Sequence, residues 1–356
     1  MSDPRPERVA AAARAGQAAL LELVALRGEA IVEELGEALG MVAWDARRVI
    51  GKAQRELRAL EGERFAAPFG GPPVRVIERA GQPLECLAVA WRHLRQGLEA
   101  HVGGEAGAPR SGLGLLAAFV PRLEGALRVS PPGEAGSAEA AGWAEVGVER
   151  ALPRLAVVAD DGDRELAAYV LARTALRRAG ADPRGVKQAL VCGPMLRLER
   201  HLQRLWVGAI VGPASDPEAF AGPASPALAA AYADALARWS ARAEVEVLCA
   251  GGEVERGDRG GPFLAPALLR VPWPPPPGMP TPGSEALPLC GPMLVLHPCP
   301  SEHVLGAIEA IGVPAARQLW VGAPPLGARG EDGRRFLRGA LLVERVPPGL
   351  PDPRPV

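Results

Sequence analysis

Two short motifs occur twice in the chain, each time in the same order. CGPML at 192–196 precedes LWVGA at 205–209, and CGPML at 290–294 precedes LWVGA at 319–323. Two shared motifs in a shared order indicate a degenerate internal duplication, or one strand design used twice in a single sheet. We therefore predict that both copies contribute strands to one C-terminal domain.

The residues around these motifs alternate between strand-like and helical patterns. Residues 151–346 are predicted to form a mixed-sheet α+β domain. The first copy is predicted to form two strands joined at Glu199–His201, and Trp206 and Trp320 are expected to be buried in the sheet. The second copy is predicted to open a unit of strand 287–297, helix 301–311 and strands 316–323 and 335–346.

The first part of the chain, residues 1–129, is predicted to be a helical domain. Two helical segments separated by Gly40-Met41-Val42 have the spacing of a helix-turn-helix, and the apolar run that ends near Arg79 could form a wing, so residues 28–79 are a possible winged helix-turn-helix. Arg48, Lys52 and Arg55 share one helix face and are the candidate DNA-contacting residues. The alternative is a plain helical packing or dimerisation module.

Two proline-rich and glycine-rich stretches interrupt this pattern. Residues 130–150 are predicted to be a linker between the domains. Residues 347–356 are predicted to be a disordered tail.

The composition narrows the class of protein. In 356 residues, 48% are apolar, 23% are charged and the net charge is −1, as expected for a globular protein without a chain-wide basic field. Lys52 and Lys187 are the only lysines. Because nearly every cation is therefore arginine, a local arginine cluster is weak evidence for phosphate recognition.

The cysteines and the hydropathy pattern are used to predict the cellular location of the protein. The five cysteines are widely spread, which favours reduced thiols and a cytoplasmic protein. No basic stretch leads into an apolar segment at the N-terminus, and no run of about twenty apolar residues is free of charges and helix breakers. We expect neither secretion nor a membrane span.

An acidic cluster follows a buried strand at 155–158. Asp160, Asp161 and Asp163 could bind a metal ion, because carboxylates at the end of a strand are a favoured place for one. The alternative is a turn whose carboxylates cap the following helix.

The densest set of reactive side chains lies at 290–303. Cys299 precedes a predicted helix, whose N-terminus would stabilise a thiolate, and His303 lies one turn along as a candidate base. Zinc is the alternative, with Cys290 and His297 completing the ligand set. The third possibility is that all of these residues are structural.

The sequence contains none of the common phosphate-binding or hydrolase motifs, and we assign no cofactor from it. We interpret the chain as a non-enzymatic cytoplasmic interaction or regulatory protein that binds a protein partner or itself. The two alternatives are an enzyme that uses Cys299 or a metal at the Asp160 turn, and a DNA-binding regulator that acts through residues 28–79.

Overall fold

The computed structural model describes residues 5–63, 71–123, 125–134, 144–145, 154–254, 261–314, 317–323 and 335–337. The chain divides into two compact units, Met1–Ala151 and Leu152–Val356. Most of the predicted linker (135–143 and 146–150) lies outside the described residues. So do the predicted tail (347–356) and most of the last predicted strand (338–346).

Unit 1 combines helices with a small sheet. Its helices are α1 (Arg5–Leu26), α2 (Gly28–Leu39), α3 (Ala43–Ala59), α4 (Glu85–Arg95) and α5 (Ser111–Ala117). Its strands are β1 (Val74–Glu78), β2 (Ala100–Gly104), β3 (Leu127–Pro132) and β4 (Ala144–Glu145), and short 3₁₀ turns lie at Leu60–Gly62 and Val120–Arg122.

Helix α1 forms because apolar residues recur every three or four positions along it. By length and composition alone it could cross a membrane, and a single such helix is weak evidence for one. Ala10, Leu20 and Val24 are fully buried in the core of unit 1. This stripe is the pattern of a core helix in a globular domain.

Helices α2 and α3 meet at Gly40, which takes the left-handed conformation that ends many helices. The expected helix pair is therefore present, but the described part of the predicted wing, residues 71–79, does not form one. Strand β1, where the wing was predicted, pairs in parallel with β2 and β4, whereas a wing is an antiparallel hairpin. The predicted winged helix-turn-helix is wrong.

The sheet of unit 1 has the order β3-β2-β1-β4, and all of its pairs are parallel. Helix α4 connects β1 to β2, and α5 lies between β2 and β3. Alternating strands and helices in a parallel sheet define an α/β unit, so the expectation of an all-helical domain is wrong.

Unit 2 contains a larger sheet with helices between its strands. Its helices are α6 (Arg164–Leu176), α7 (Leu196–Gly208), α8 (Pro226–Ser240) and α9 (Val304–Ile311), with 3₁₀ turns at Arg177–Gly180 and Ser301–His303. Its strands are β5 (Arg154–Val158), β6 (Val186–Val191), β7 (Glu246–Val254), β8 (Phe263–Arg270), β9 (Met293–Pro298), β10 (Gln318–Val321) and β11 (Arg335–Leu337).

The order of this sheet is β11-β10-β5-β6-β9-β8-β7, and within the described residues only the β7–β8 pair is antiparallel. The central strands are apolar throughout. Leu294, Val295 and Leu296 are successive residues and all are fully buried, as in a strand covered on both faces. Unit 2 is therefore α/β, and the α+β prediction is wrong.

The two motif copies have different structures, which overturns the predicted shared strand role. The first CGPML copy is the turn from β6 into α7, and the first LWVGA copy ends α7. The second CGPML copy leads into β9, and the second LWVGA copy forms β10. Trp206 and Trp320 are both buried, but Trp206 lies in a helix.

The spacing of apolar residues explains why the first LWVGA copy lies in helix α7. Leu198, Leu202, Leu205 and Trp206 recur at helical intervals and are all buried, while Val207 is 81% exposed. We expect Trp206→Ala to lower the free energy of unfolding by about 3–5 kcal/mol, because it leaves a large cavity. Val207→Ala, the matched control, should change it by less than about 0.5 kcal/mol. Equal losses in denaturant unfolding would contradict this account of α7.

Candidate active site at the carboxyl ends of the unit 2 strands

Four strands of unit 2 end at the same edge of the sheet, because β10, β5, β6 and β9 are adjacent and parallel. The residues that follow them are Asp160 and Asp161 after β5, Cys192 and Gly193 after β6, Cys299 and Ser301 after β9, and Gly322 and Ala323 after β10. Ligands of open α/β sheets bind beyond the carboxyl ends of the strands. This edge is therefore the candidate active site.

The carboxylates of the acidic turn have separate partners. Asp163 caps α6 by accepting from the backbone N–H groups of Glu165 and Leu166 at 2.9 and 3.1 Å. Asp161 Oδ1 accepts from the N–H of Ala323 at 2.8 Å. Asp160 accepts from the hydroxyl of Ser301. Across the described ranges, no group of three or more His, Cys, Asp or Glu side chains could hold a metal ion.

Cys192 and Cys299 lie side by side at this edge. Val191 pairs with Pro298 in the sheet, and the N–H of Cys299 donates to the carbonyl of Val191 at 3.0 Å, so the two cysteines continue the same register. Their residues are only 2% and 3% exposed. Burial raises the pKa of the Cys192 thiol above its usual range and that of Cys299 to about 11. Both side chains are thiols at neutral pH.

Ser301 lies near both Cys192 and Asp160. Its hydroxyl donates to Asp160 Oδ2, and Ser301 lowers the pKa of the Cys192 thiol against the larger effect of burial. Asp160 and Ser301 are exposed, whereas the thiol lies just beneath them. The three side chains therefore form one polar cluster at this edge of the sheet.

The side chain of Arg164 links two of the strand ends at this edge. Its guanidinium donates to the carbonyls of Ala159 at 3.1 Å and Cys192 at 2.6 Å, which ties the end of β5 to the end of β6. Gly193 has a φ of 70°, and a Cβ there would lie 2.5 Å from Asp160 Oδ1. Glycine is therefore required where the turn after β6 approaches the carboxylate.

The structure places the other predicted site residues apart from one another. Cys290 precedes β9 whereas Cys299 follows it, so they flank opposite ends of one strand. His303 is exposed, and in the described part of the chain its ring makes no hydrogen bond to Cys299. The Cys299 thiol instead donates to the carbonyl of Pro300 at 3.5 Å.

Cys290 lies near a buried cation. The Lys187 ammonium donates to the carbonyls of Gly180, at 2.8 Å, and Gly291, and it lowers the pKa of Cys290 against the larger effect of burial. Burial lowers the pKa of Lys187 itself to about 8. The ammonium thus ties the turn after α6 to the start of β9.

The candidate DNA-contacting residues lie on α3 in unit 1. Arg48 and Arg55 are exposed. The Lys52 ammonium forms ion pairs with Glu56, at 3.5 Å, and with Glu85. One of the three cations is therefore already neutralised by carboxylates of the chain.

The sequence interpretation included Asp160 and Cys299 but omitted Cys192, Ser301 and Arg164. Each of these three follows a strand or begins the helix after it, which is a signal that the sequence carries. For Cys192 the signal is hidden, because a strand predicted over residues 189–198 places this residue inside the strand and not after it. A site on a sheet edge can be recognised only once the strand ends are placed correctly.

The sequence matches no family model and no curated protein. Its fold is similar to those of several solved structures. A NAD-dependent aldehyde dehydrogenase from Sinorhizobium meliloti superposes with a TM-score of 0.71 and 15% identity over 94% of this chain and 75% of that chain. A lactaldehyde dehydrogenase gives 0.69 and 15% over 95% and 78%. A NAD-dependent benzaldehyde dehydrogenase from Corynebacterium glutamicum gives 0.66 and 16% over 90% and 77%.

These similarities establish a Rossmann-like α/β fold of the aldehyde dehydrogenase type. They correct the predicted fold class, because the described residues form an α/β fold and contain neither a winged helix-turn-helix nor a duplicated α+β domain. They also contradict the interpretation as a non-enzymatic regulatory protein that acts through protein contacts, since the fold is shared with enzymes. The DNA-binding alternative loses its basis together with the winged helix.

Two of these enzymes are NAD-dependent by name, which raises the question whether this chain fits a dinucleotide. The sheet order of unit 1 is that of the first half of a dinucleotide-binding domain. However, the N–H groups at the start of α4 already bind the buried carboxylate of Glu78. The described residues at this turn therefore do not fit a pyrophosphate.

His297, the fourth member of the proposed zinc set, is fully buried. Its ring nitrogens contact the carbonyl of Val271 and Oε1 of Gln188, both at 3.2 Å, and burial lowers its pKa to about 4. The native protein therefore holds this imidazole neutral at physiological pH.

We expect a pH-dependent stability from His297. A histidine with a pKa near 6.5 when unfolded and about 4 when folded contributes stability above pH 6.5 that is lost as the pH falls through 4. The loss should amount to roughly 3 kcal/mol, from ~1.4 kcal/mol per pKa unit. Denaturant unfolding between pH 4 and 7 measures it. His297→Asn should remove this component, and exposed His303→Asn should keep it. An unchanged slope in His297→Asn would refute the assignment.

Proposed function

We propose that the chain is an enzyme that acts on a carbonyl compound, an aldehyde in the simplest case, through covalent addition of the Cys192 thiol. The observation that carries the proposal is the convergence of Cys192, Ser301 and Asp160 at the open edge of the unit 2 sheet, where the Ser301 hydroxyl donates to Asp160 Oδ2. The fold supports the substrate class, because the similar structures are named as aldehyde dehydrogenases.

The addition step needs only groups that this edge contains. A bond forms between Cys192 Sγ and the carbonyl carbon, and the π bond of the carbonyl breaks. The thiol proton passes by way of the Ser301 hydroxyl to Asp160, which releases it to solvent, and the carbonyl oxygen takes up one proton from solvent to become a hydroxyl. The product is a thiohemiacetal, and no oxidant is consumed.

Negative charge on the carbonyl oxygen would be stabilised from α7. This helix of 13 residues begins four residues after Cys192, and its N-terminus has no side-chain cap. Free N–H groups and the helix dipole favour an anion at such a position. The same effect supports the nucleophile as it loses its proton.

Cys192 is a better nucleophile than Cys299, the residue favoured by sequence alone. Burial raises the pKa of both thiols. At Cys192, Ser301 and Arg164 oppose this rise while Asp160 and Glu302 add to it. At Cys299, the two further influences, Cys192 and Glu302, both add to the rise. His303 is not placed to act as its base.

The test is protection of Cys192 from iodoacetamide by propanal at pH 8, followed by peptide mass spectrometry. We expect propanal to slow the alkylation of Cys192 by about tenfold or more while Cys249, half-buried on β7, is unaffected. Because the pKa of Cys192 lies above its usual range, its alkylation without aldehyde should rise about tenfold per pH unit through this region.

Ser301→Ala should slow both alkylation and aldehyde protection at Cys192, because it removes the hydroxyl between thiol and carboxylate. Ser240→Ala, an exposed serine at the end of α8, is the matched control and should behave like the parent chain. The proposal fails if propanal leaves the alkylation of Cys192 unchanged, or if Ser301→Ala and Ser240→Ala give the same protection.

A further inference from the structure

We infer that the carboxylate of Glu78 occupies the place of a ligand phosphate in unit 1, so that this unit keeps the sheet order of a dinucleotide-binding domain without binding a dinucleotide. The inference concerns unit 1 alone and is independent of the chemistry proposed for Cys192.

The sheet order β3-β2-β1-β4 locates the turn in question. In this topology the chain runs outward from β1 to β2 and β3 and then crosses to β4 on the other side of β1. A ligand binds beyond the carboxyl ends of the strands at that switch point. Its phosphates bind the N–H groups of the first strand-to-helix turn and of the helix that follows. Here the turn runs from Arg79 to Leu84, between Glu78 at the end of β1 and the start of α4.

The N–H groups of this turn are already used within the chain. Glu78 Oε1 accepts from the N–H of Leu84 at 2.6 Å, and Oε2 accepts from the N–H of Cys86 at 3.3 Å. The N–H of Ala80 donates to Glu105 Oε1 at 2.8 Å, and that of Gln82 to the carbonyl of Arg79 at 3.0 Å. Pro83 has no N–H to offer.

The surroundings of Glu78 are shaped around its carboxylate. The side chain is fully buried. A Cβ at Gly112 would lie 2.9 Å from Glu78 Oε1, so only glycine lets α5 approach this closely. Leu84 has a φ of 66°, a left-handed conformation that costs a non-glycine residue of order 1–3 kcal/mol. That conformation occurs at the residue whose N–H binds the carboxylate.

A phosphate at this turn would therefore meet the Glu78 carboxylate instead of free donors. Glu85 and Glu105 add two more acidic side chains at the same turn, and Glu85 is paired with Lys52. Like charges at such distances repel, and an anion that lost its N–H donors inside the unit would be left buried without partners. The turn therefore excludes phosphate, because Glu78 already binds its N–H donors and the acidic side chains around it repel an anion.

The experiment measures NADH and inorganic phosphate binding at pH 8, above the value of about 7 to which burial raises the pKa of Glu78. The proteins are the full chain, Glu78→Ala, Glu78→Gln and the control Glu99→Gln, whose carboxylate pairs with Arg5 elsewhere in unit 1. NADH binding is followed by fluorescence titration with ADP as competitor. Phosphate binding is followed as the shift of the unfolding temperature with millimolar phosphate.

We expect the full chain and Glu99→Gln to show no saturable NADH binding and the same small phosphate shift. Glu78→Ala should gain a phosphate-dependent rise in unfolding temperature beyond that of Glu99→Gln, because the freed N–H groups accept the anion. If Glu78→Ala does not fold, the neutral and nearly isosteric Glu78→Gln should show the same gain in smaller measure.

Saturable NADH binding by the full chain, competed by ADP, would overturn the inference. A folded Glu78→Ala with the phosphate response of Glu99→Gln would overturn it as well. If neither Glu78 variant folds, the NADH titration of the full chain decides. None of these outcomes alters the alkylation of Cys192, so this inference and the proposed function can fail separately.

Discussion

Parallel pairing of β5, β6, β9 and β10 is the constraint on which the account of unit 2 depends. Parallel strands begin at one edge of a sheet and end at the other, so residues far apart in sequence meet wherever their strands end together. Asp160, Cys192 and Ser301 are brought together in this way across 141 positions of the chain. The contact between Asp160 and Ser301 is polar and exposed, and the strands that carry these residues are apolar and buried. The rigid sheet therefore positions groups that the loops alone could not hold.

The sequence predicted several elements correctly and assembled them incorrectly. The apolar run of β5, the helix break at Gly40 and the helix before Gly312 can all be read from local patterns. The motif repeat was misleading, because CGPML and LWVGA are short enough to fit either a helix or a strand. What decides is the neighbouring spacing: Leu198, Leu202 and Leu205 mark a helix around the first copy, and an unbroken apolar run marks a strand in the second. Two copies of a short sequence motif therefore do not require the same structure.

Only part of the candidate active site could be predicted from the sequence. Asp160 and Cys299 stood out because polar residues followed apolar runs, but their partners depend on strand order, which has no local signature. Unit 1 shows the same limit. Its 3-2-1-4 order was hidden because the turn after β1 contains one glycine, Gly81, in place of a glycine-rich phosphate loop. The structure explains that composition, since Glu78 already supplies the anion that such a loop would bind. A fold shared with aldehyde dehydrogenases is thus combined with local chemistry that differs between the two units.

The convergence of Cys192 and Cys299 at one sheet edge is the central claim, and a trivalent arsenical measures it directly. Phenylarsine oxide forms a stable bridge only between two thiols that lie within a few ångströms of each other. We expect the full chain to take up one equivalent, with Cys192 and Cys299 both lost to later alkylation while Cys249 and Cys290 remain reactive. Cys299→Ser should abolish the bridge, and Cys290→Ser should not. A bridge between any other pair of cysteines, or no bridge under conditions where both thiols can be alkylated, would contradict the arrangement.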